Sequence, residues 1–320
     1  MKKVVFAQNT STYITDLVIP FAQVAVIEEG NFEALKKILP DAEAIVVGTW
    51  VKFTAELMDI APKLRVISRT GVGVDTVDVA AATERGIMVL NTPNANSLSV
   101  AEHAVAMIGA MAKNFFYLHK QTVQGNFSAR RQYKATDLNR KTLGLVGCGA
   151  IGRLVAAKCR AAYDMEILAY DPYIQGTPEG TTLVEDIETV FSNSDFVSVH
   201  LPLTKETRHI VNAKLIRTMK SSAYLINTAR GGLVDEEALY NALKNGDLAG
   251  AALDVFEQEP PPADWKLATL DNILLTPHSA ALTKECVERV AVYAAKGVIE
   301  WLGGETPQFV YNKAVLENGR

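Results

Sequence analysis

The chain has 320 residues, of which 48% are hydrophobic and 21% charged, a composition typical of ordinary globular proteins. This length is enough for about two domains, each with a sizeable core. The formal net charge is only −4, and no block of Lys and Arg stands out to follow a phosphate backbone, so nucleic acid is not expected as a partner.

The first part of the chain alternates short apolar runs with helix-length segments. A segment with helical spacing, FEALKKIL, separates two of these runs. The apolar runs are KVVFAQ, AQVAVIE, AIVVGT, KLRVISRT and IMVLNTP. Strands that alternate with helices indicate parallel βαβ units.

A helix rich in Ala and Met is predicted over residues 99–120. Its apolar part, SVAEHAVAMIGAMAK, carries Glu102 and His103 and is too short and too polar to span a bilayer. Two interpretations of this helix stay open, a core helix and an interdomain or subunit-packing helix. His103 is predicted to be a packing or interface residue.

A second series of strands begins at Thr142 and predicts a doubly wound parallel sheet. Its runs are TLGLVGCGAIG, MEILAYD, DFVSVHLP, SAYLINTA, AGAALDVF and NILLTPH. After Thr283, the segment KECVERVAVYAAKGVIEWLGG predicts a helix that returns to the first domain.

The strongest motif is the glycine-rich turn in LGLVGCGAIGRLVAAK. Gly147, Gly149 and Gly152 form G-x-G-x-x-G between a strand and a helix, where they allow a tight turn, a close approach of a pyrophosphate and close packing. Phosphates then lie at the helix N-terminus. Asp171 ends the next strand, where a carboxylate accepts hydrogen bonds from a ribose diol and repels a 2′-phosphate. No arginine follows it, so NAD is favoured over NADP.

The cysteines and the N-terminus indicate the compartment. Cys148, Cys159 and Cys286 are far apart, in no metal-ligand spacing, and their odd number argues against a disulfide framework. The segment MKKVVFAQN becomes polar too soon for a signal-peptide core. We therefore expect a cytoplasmic protein that binds no metal and no membrane.

Polar clusters follow three of the later strands, at the edge where open α/β sheets bind ligands. They are NTARGG with Arg230, DVFEQEPPP with Asp254 and Glu259, and TPHSAA with His278. Each cluster alone is a weak signal, because a turn cap, a solvated loop or a packed histidine accounts for it equally well.

Taken in order along residues 45–300, these motifs resemble the D-isomer-specific 2-hydroxyacid dehydrogenases, especially the phosphoglycerate dehydrogenase branch. SRTGVGVDTVDVAAATERGI and NTPNANSLSVAEH extend the resemblance into the first series. The resemblance implies a flavodoxin-like substrate-binding (catalytic) domain, residues 1–98 and 285–320, and a Rossmann NAD-binding domain, residues 99–284. It also implies a homodimer packed through the helix near residues 99–120.

The same resemblance implies a catalytic set of Arg230, Glu259 and His278. Reduction of a 2-oxo acid needs a proton donor at the carbonyl oxygen, which suits a histidine. Glu259 would orient the ring and stabilise its charged form, and Arg230 would bind the substrate carboxylate with its fork of donors.

Further positions follow from the resemblance. Positions expected beside NAD are Val72, Gly147, Gly149, Ala150, Ile151, Gly152, Asp171, Leu201, Thr228, Ala229, Arg230, Asp254, His278 and Ala280. Among these, Asp254 is expected to offer a charged group near the nicotinamide. Positions expected beside the small anionic 2-hydroxy or 2-oxo acid are Trp50, Lys52, Gly71, Val72, Gly73, Arg230 and His278.

Two departures from the family pattern leave the substrate open. Gly48 stands where phosphoglycerate dehydrogenases usually place an arginine, and Trp50 offers a bulky apolar wall instead. Ala280 stands where a glycine is common. The alternatives are phosphoglycerate dehydrogenase specifically, a corepressor-like NAD-sensing protein, and an enzyme oxidising formate or phosphite. Glu259 argues against the formate enzymes, which pair the histidine with glutamine.

Overall fold

A computed structural model describes residues 1–131 and 135–317 of the chain. The chain divides into two compact units. The first comprises Met1–Asn96 and the described residues from Thr283 onward, and the second comprises Ser97–Leu282.

Helices and strands alternate along most of the described chain. The strands are β1 Lys3–Ala7, β2 Gln23–Ile27, β3 Ala44–Val47, β4 Val66–Arg69, β5 Met88–Leu90, β6 Thr142–Val146, β7 Glu166–Tyr170, β8 Thr181–Leu183, β9 Phe196–Val199, β10 Tyr224–Asn227, β11 Gly250–Leu253 and β12 Ile273–Leu275. The helices are α1 Thr12–Val18, α2 Phe32–Ile38, α3 Ala55–Asp59, α4 Val79–Glu84, α5 Ser97–Lys113, α6 Phe115–Val123, α7 Ala150–Tyr163, α8 Ile187–Asn193, α9 Ala213–Ile216, α10 Glu236–Asn245, α11 Lys284–Leu302 and α12 Ala314–Glu317.

The first unit is built on a parallel sheet that has, in the described residues, five strands in the order β2-β1-β3-β4-β5. Successive residues of β1 point to opposite faces: Val5 joins one core cluster, whereas Val4 joins the cluster that contains Ala294 and Val298 of α11. Small side chains let α11 pack closely, and the Ser68 hydroxyl donates to the Ala294 carbonyl at 3.0 Å. The last long helix thus packs on the sheet of the first unit.

The second unit contains a parallel sheet with seven strands in the described residues, in the order β12-β11-β10-β9-β6-β7-β8. The strand order reverses beside β6, where the chain runs outward through β7 and β8 and then returns through β9. This is the doubly wound Rossmann arrangement, and its ligands bind outside the carboxyl ends of the strands at the reversal. Together the two sheets confirm the predicted fold class.

The structure differs from the sequence predictions in one helix and contains one strand that was not predicted. The single helix predicted over residues 99–120 is interrupted at Asn114, whose φ of +47° is left-handed, so α5 ends at Lys113 and α6 begins at Phe115. Ala101, Ala104 and Ile108 of α5 are fully buried in a core cluster of the second unit. Strand β8 was not predicted, because its three residues, two of them threonines, do not form a recognisable apolar run.

No helix among the described residues is long and apolar enough to cross a membrane.

Candidate active site

The glycine-rich turn lies where the order of the second sheet reverses. Gly147 follows β6 with a φ of +93°, and a Cβ added there would lie 2.9 Å from the backbone carbonyl of His200, which follows β9. A Cβ added to Gly152 would lie 2.4 Å from the Gly147 oxygen. Both positions therefore require glycine, the first for its conformation and the second for the packing of α7 on β6.

Open space lies at the N-terminus of α7. Gly149 is the residue that precedes the helix, and a Cβ added there would meet no atom within 4 Å. The backbone N–H groups of Ala150, Ile151 and Gly152 belong to the first turn, where helix geometry provides no acceptor. These donors and the helix dipole can hold the pyrophosphate of a dinucleotide.

Asp171 follows β7 and lies against the glycine-rich turn. Its Oδ2 accepts a hydrogen bond from the Cys148 N–H at 2.8 Å, and its Oδ1 accepts one from the Tyr173 N–H at 3.0 Å. These bonds orient the carboxylate, which retains acceptor capacity for the hydroxyls of a ribose. Tyr173 is 91% exposed and carries no charge to offset a 2′-phosphate, so the site fits NAD.

Two polar atoms at the carboxyl ends of β9 and β10, His200 Nδ1 and Thr228 Oγ1, have no hydrogen-bond partner among the described residues. Thr228, 6% exposed, follows β10, and its hydroxyl has no hydrogen-bond partner in the described residues. The His200 Nε2 lies 3.0 Å from the Ser198 hydroxyl, and burial lowers the pKa of His200 to about 4. A neutral His200 and the Thr228 hydroxyl leave polar groups that a bound dinucleotide can satisfy. Leu201 and Ala229 continue the same two strand ends.

His278 and Glu259 form a hydrogen-bonded pair in the second unit. The His278 Nδ1 lies 2.7 Å from the Glu259 Oε2, and the Glu259 Oε1 accepts a hydrogen bond from the Phe256 N–H at 3.0 Å. The carboxylate is thus held at both oxygens and orients the ring, so the ring's Nε2 is the nitrogen available for a substrate. The side chains are 46% and 37% exposed, respectively.

Arg230 lies in the loop after β10, pressed against the loop that carries Glu259. A Cβ added to Gly231 would lie 1.9 Å from the carbonyl carbon of Phe256, so the two backbones touch there and only glycine fits. The Arg230 carbonyl accepts from the Asn227 amide at 2.9 Å, and its guanidinium donates to the Ala229 carbonyl at 2.7 Å. The structure therefore places the predicted Arg and Glu on adjoining loops.

Asp254, which is predicted to offer a charged group near the nicotinamide, makes hydrogen bonds to the loop that carries His278. It is fully buried, and its Oδ1 and Oδ2 accept hydrogen bonds from the backbone N–H groups of Ser279 and Ala280 at 2.8 and 2.9 Å. The carboxylate thus stabilises the loop that carries His278. Ala280 is 4% exposed. Sequence reasoning did not find Thr276, whose hydroxyl also donates to Asp254, because a threonine before Pro carries no distinctive signal.

The remaining predicted substrate residues lie in the first unit. Gly71 has a φ of +156°, and its carbonyl accepts from the Thr92 N–H at 3.0 Å. The Val72 carbonyl accepts from the Asn91 amide at 2.9 Å, and Gly73 continues this loop. The indole of Trp50 donates to the Ala7 carbonyl at 2.6 Å. The exposed Lys52 follows closely.

A glycine-rich turn at the reversal of a parallel sheet, followed by an acidic residue after the next strand, defines the dinucleotide-binding class of α/β proteins. Residues 105–280 match the family described as D-isomer specific 2-hydroxyacid dehydrogenase, NAD binding domain. The chain belongs to this family, and its cofactor is NAD.

Curated relatives and a solved structure are similar to this chain over most of its length. It is 44% identical to the D-3-phosphoglycerate dehydrogenase of Methanocaldococcus jannaschii over 283 residues, 88% of this chain and 53% of that protein. It is 42% identical to the hydroxypyruvate reductase of Thermotoga maritima, covering 85% of this chain and 88% of that protein. The crystal structure of D-lactate dehydrogenase from Aquifex aeolicus, complexed with NAD and lactic acid, aligns with a TM-score of 0.82 at 32% identity, covering 94% of this chain and 96% of that chain. The chain thus spans about half the length of the first of these relatives and most of the other two.

Proposed function

We propose that this protein is an NAD-dependent oxidoreductase that interconverts a small D-2-hydroxy acid and its 2-oxo acid. The observation that carries the proposal is the 2.7 Å contact between His278 Nδ1 and Glu259 Oε2. It fixes the ring beside the loop of Arg230, in the unit that carries the dinucleotide turn. The family membership and the relatives that reduce 2-oxo acids support it.

In the proposed mechanism, the cofactor would supply a hydride as NADH during reduction and accept one as NAD⁺ during oxidation. His278 donates a proton from Nε2 to the carbonyl oxygen during reduction and accepts it back during oxidation. Glu259 holds the ring and offsets its positive charge while it carries the second proton. Arg230 binds the substrate carboxylate and polarises the adjacent carbonyl. We also propose that Lys52 and the backbone of Gly71, Val72 and Gly73 contribute to substrate binding.

The substrate is proposed to be a small 2-oxo acid without a phosphate. At Gly48 an added Cβ would meet only Gln8 and Trp50, at ordinary contact distances of 3.5 and 3.8 Å. Gly48 has no side chain that could bind a phosphate, and the Trp50 ring is held in place by its hydrogen bond to the Ala7 carbonyl. Glyoxylate, hydroxypyruvate and unbranched 2-oxo acids fit this description better than a phosphorylated acid.

The two predicted domains receive separate roles in this proposal, substrate binding for residues 1–98 with 285–320 and NAD binding for residues 99–284. We also propose a homodimer packed through the region near residues 99–120. Phe115, Val123 and Phe127 are 63, 72 and 67% exposed, and these exposed apolar side chains near that region support the proposed interface. Three cysteines without disulfide partners support the predicted cytoplasmic location.

The test is NADH oxidation, followed at 340 nm, over a panel of 2-oxo acids that differ in size and phosphate. The panel includes glyoxylate, hydroxypyruvate, pyruvate, a branched 2-oxo acid and 3-phosphohydroxypyruvate. The proposal expects turnover with an unphosphorylated member and loss of most turnover in His278→Gln, with NADH binding retained. Absence of turnover with every member would favour the corepressor-like alternative.

A further inference from the structure

A chain of hydrogen bonds joins α5 to the loop of His278 within the second unit. His103 is on α5, and its Nε2 lies 3.1 Å from the Thr276 Oγ1. The Thr276 hydroxyl in turn lies 2.5 Å from the Asp254 Oδ1. The His103 Nε2 is also 3.6 Å from the same carboxylate oxygen. The side chain of His103 is 24% exposed and that of Asp254 is 1% exposed, so the far end of the chain is shielded from water.

The proton count fixes the direction of these bonds. An ionised carboxylate only accepts hydrogen bonds, so the single hydroxyl proton of Thr276 is directed at Asp254. The Thr276 oxygen can then only accept from His103, and the His103 Nε2 must carry a proton. His103 is therefore a donor at this position, and its bond polarises the hydroxyl toward the buried carboxylate.

The other end of the chain determines the backbone at the proposed proton donor. The Asp254 oxygens accept from the N–H groups of Ser279 and Ala280, and the Asp254 carbonyl accepts from the His278 N–H at 2.7 Å. His278 has a φ of +51°, a left-handed conformation that non-glycine residues adopt only when their surroundings hold them in it. The grip of Asp254 on the two following amides supplies that hold.

The geometry assigns His103 as a positioning residue for His278, acting through Thr276 and Asp254. This role goes beyond the prediction that His103 is a packing or interface residue. A packing residue needs only the volume of the ring, whereas the assigned role needs the proton on Nε2. The inference rests on the proposed function in one respect, because that function makes His278 the proton donor. The hydrogen-bond chain can be tested without turnover.

The first experiment measures backbone amide hydrogen exchange in the full chain without ligand. His103→Phe keeps the ring's volume and removes the donor, Thr276→Val removes the hydroxyl, and His103→Gln retains a donor near the same position. We expect exchange at Ser279 and Ala280 to rise about tenfold in the first two variants, the effect of about 1.4 kcal/mol. It should stay within twofold in His103→Gln. Amides of β11 serve as the internal control for general loosening.

The second experiment measures turnover of the same variants on the best 2-oxo acid. We expect kcat to fall about tenfold in His103→Phe, with KM and the Kd for NADH within twofold of wild type. Adding His103→Phe to Thr276→Val should cause no further fall, because both changes break one chain. His103→Gln should recover most of the loss.

Three results would overturn the assignment: unchanged exchange in His103→Phe, additive losses in the double variant, or an equal loss in His103→Gln. If His103→Phe does not fold, His103→Leu, which also removes the donor, carries the same exchange comparison against His103→Gln. Wild-type protein that turns over no 2-oxo acid would refute the proposed function, while the exchange result would still decide the role of His103.

Discussion

Replacing Glu259 with Gln tests the pairing at the centre of the proposed mechanism. Both oxygens of Glu259 accept hydrogen bonds, one from the Phe256 N–H at 3.0 Å and one at the His278 Nδ1, 2.7 Å away. A glutamine has one oxygen, so it cannot accept from both donors. If its oxygen faces Phe256, its NH₂ group opposes the Nδ1 proton of a charged His278; if it is flipped, the NH₂ group opposes the Phe256 N–H.

Either orientation of the glutamine removes one hydrogen bond and the charge that offsets the protonated ring. Loss of a bond to a charged partner costs about 1.5 to 3 kcal/mol, which corresponds to a fall in kcat of about 10- to 150-fold. The side chains are more than a third exposed, so solvent screening favours the lower end of this range.

The assay is steady-state reduction of the preferred 2-oxo acid, with NADH binding measured separately by fluorescence. Glu237→Gln is the matched control, because Glu237 pairs with Lys266 at the exposed surface of α10, and it should stay within twofold of wild type. A kcat for Glu259→Gln within twofold of wild type, with NADH binding intact, would show that the carboxylate does not support His278.

The other predictions concern the cofactor and stability. Asp171→Ser combined with Tyr173→Arg should shift the ratio of kcat/KM for NADH over NADPH by at least about tenfold toward NADPH, because it removes a carboxylate and adds a cation; an unchanged ratio would contradict the ribose assignment. Gly152→Ala should lower the melting temperature, because its Cβ would lie 2.4 Å from the Gly147 carbonyl oxygen. Gly149→Ala lies in open space, so it should leave the melting temperature unchanged and weaken NADH binding. Equal melting temperatures for both variants would refute this reasoning. Burial lowers the pKa of His200 from 6.5 to about 4, so between these pH values the unfolded chain binds a proton that the folded chain does not. The free energy of unfolding should therefore fall by up to about 3 kcal/mol as the pH drops through this window. Urea titrations of His200→Gln should show a smaller fall.

Much of the fold follows from local patterns. The predicted strands are present because each is a run of mostly apolar residues, and the central strands, such as β3 and β4, are buried on both faces. Strand β8 carries no such run, and the break at Asn114 depends on one residue adopting a left-handed conformation within a continuous apolar pattern. A three-residue edge strand is too short to show a hydrophobic period, and a single left-handed residue leaves the hydrophobic period of the sequence unchanged.

The sequence by itself determined the parallel α/β class and the dinucleotide turn from Gly147 to Gly152, because these depend on local periodicity and fixed motif spacing. The catalytic set of Arg230, Glu259 and His278 follows from the family resemblance and stays a prediction. Only the tertiary structure decided which side chain each polar group serves. No local pattern pairs Glu259 with His278, and before the structure only the family resemblance implied that they pair. They meet because the loops after the neighbouring strands β11 and β12 converge. The hydrogen bonds of Asp254 likewise depend on the tertiary structure. Its oxygens accept backbone N–H groups of the His278 loop, because a buried carboxylate must be satisfied by donors that the fold brings to it.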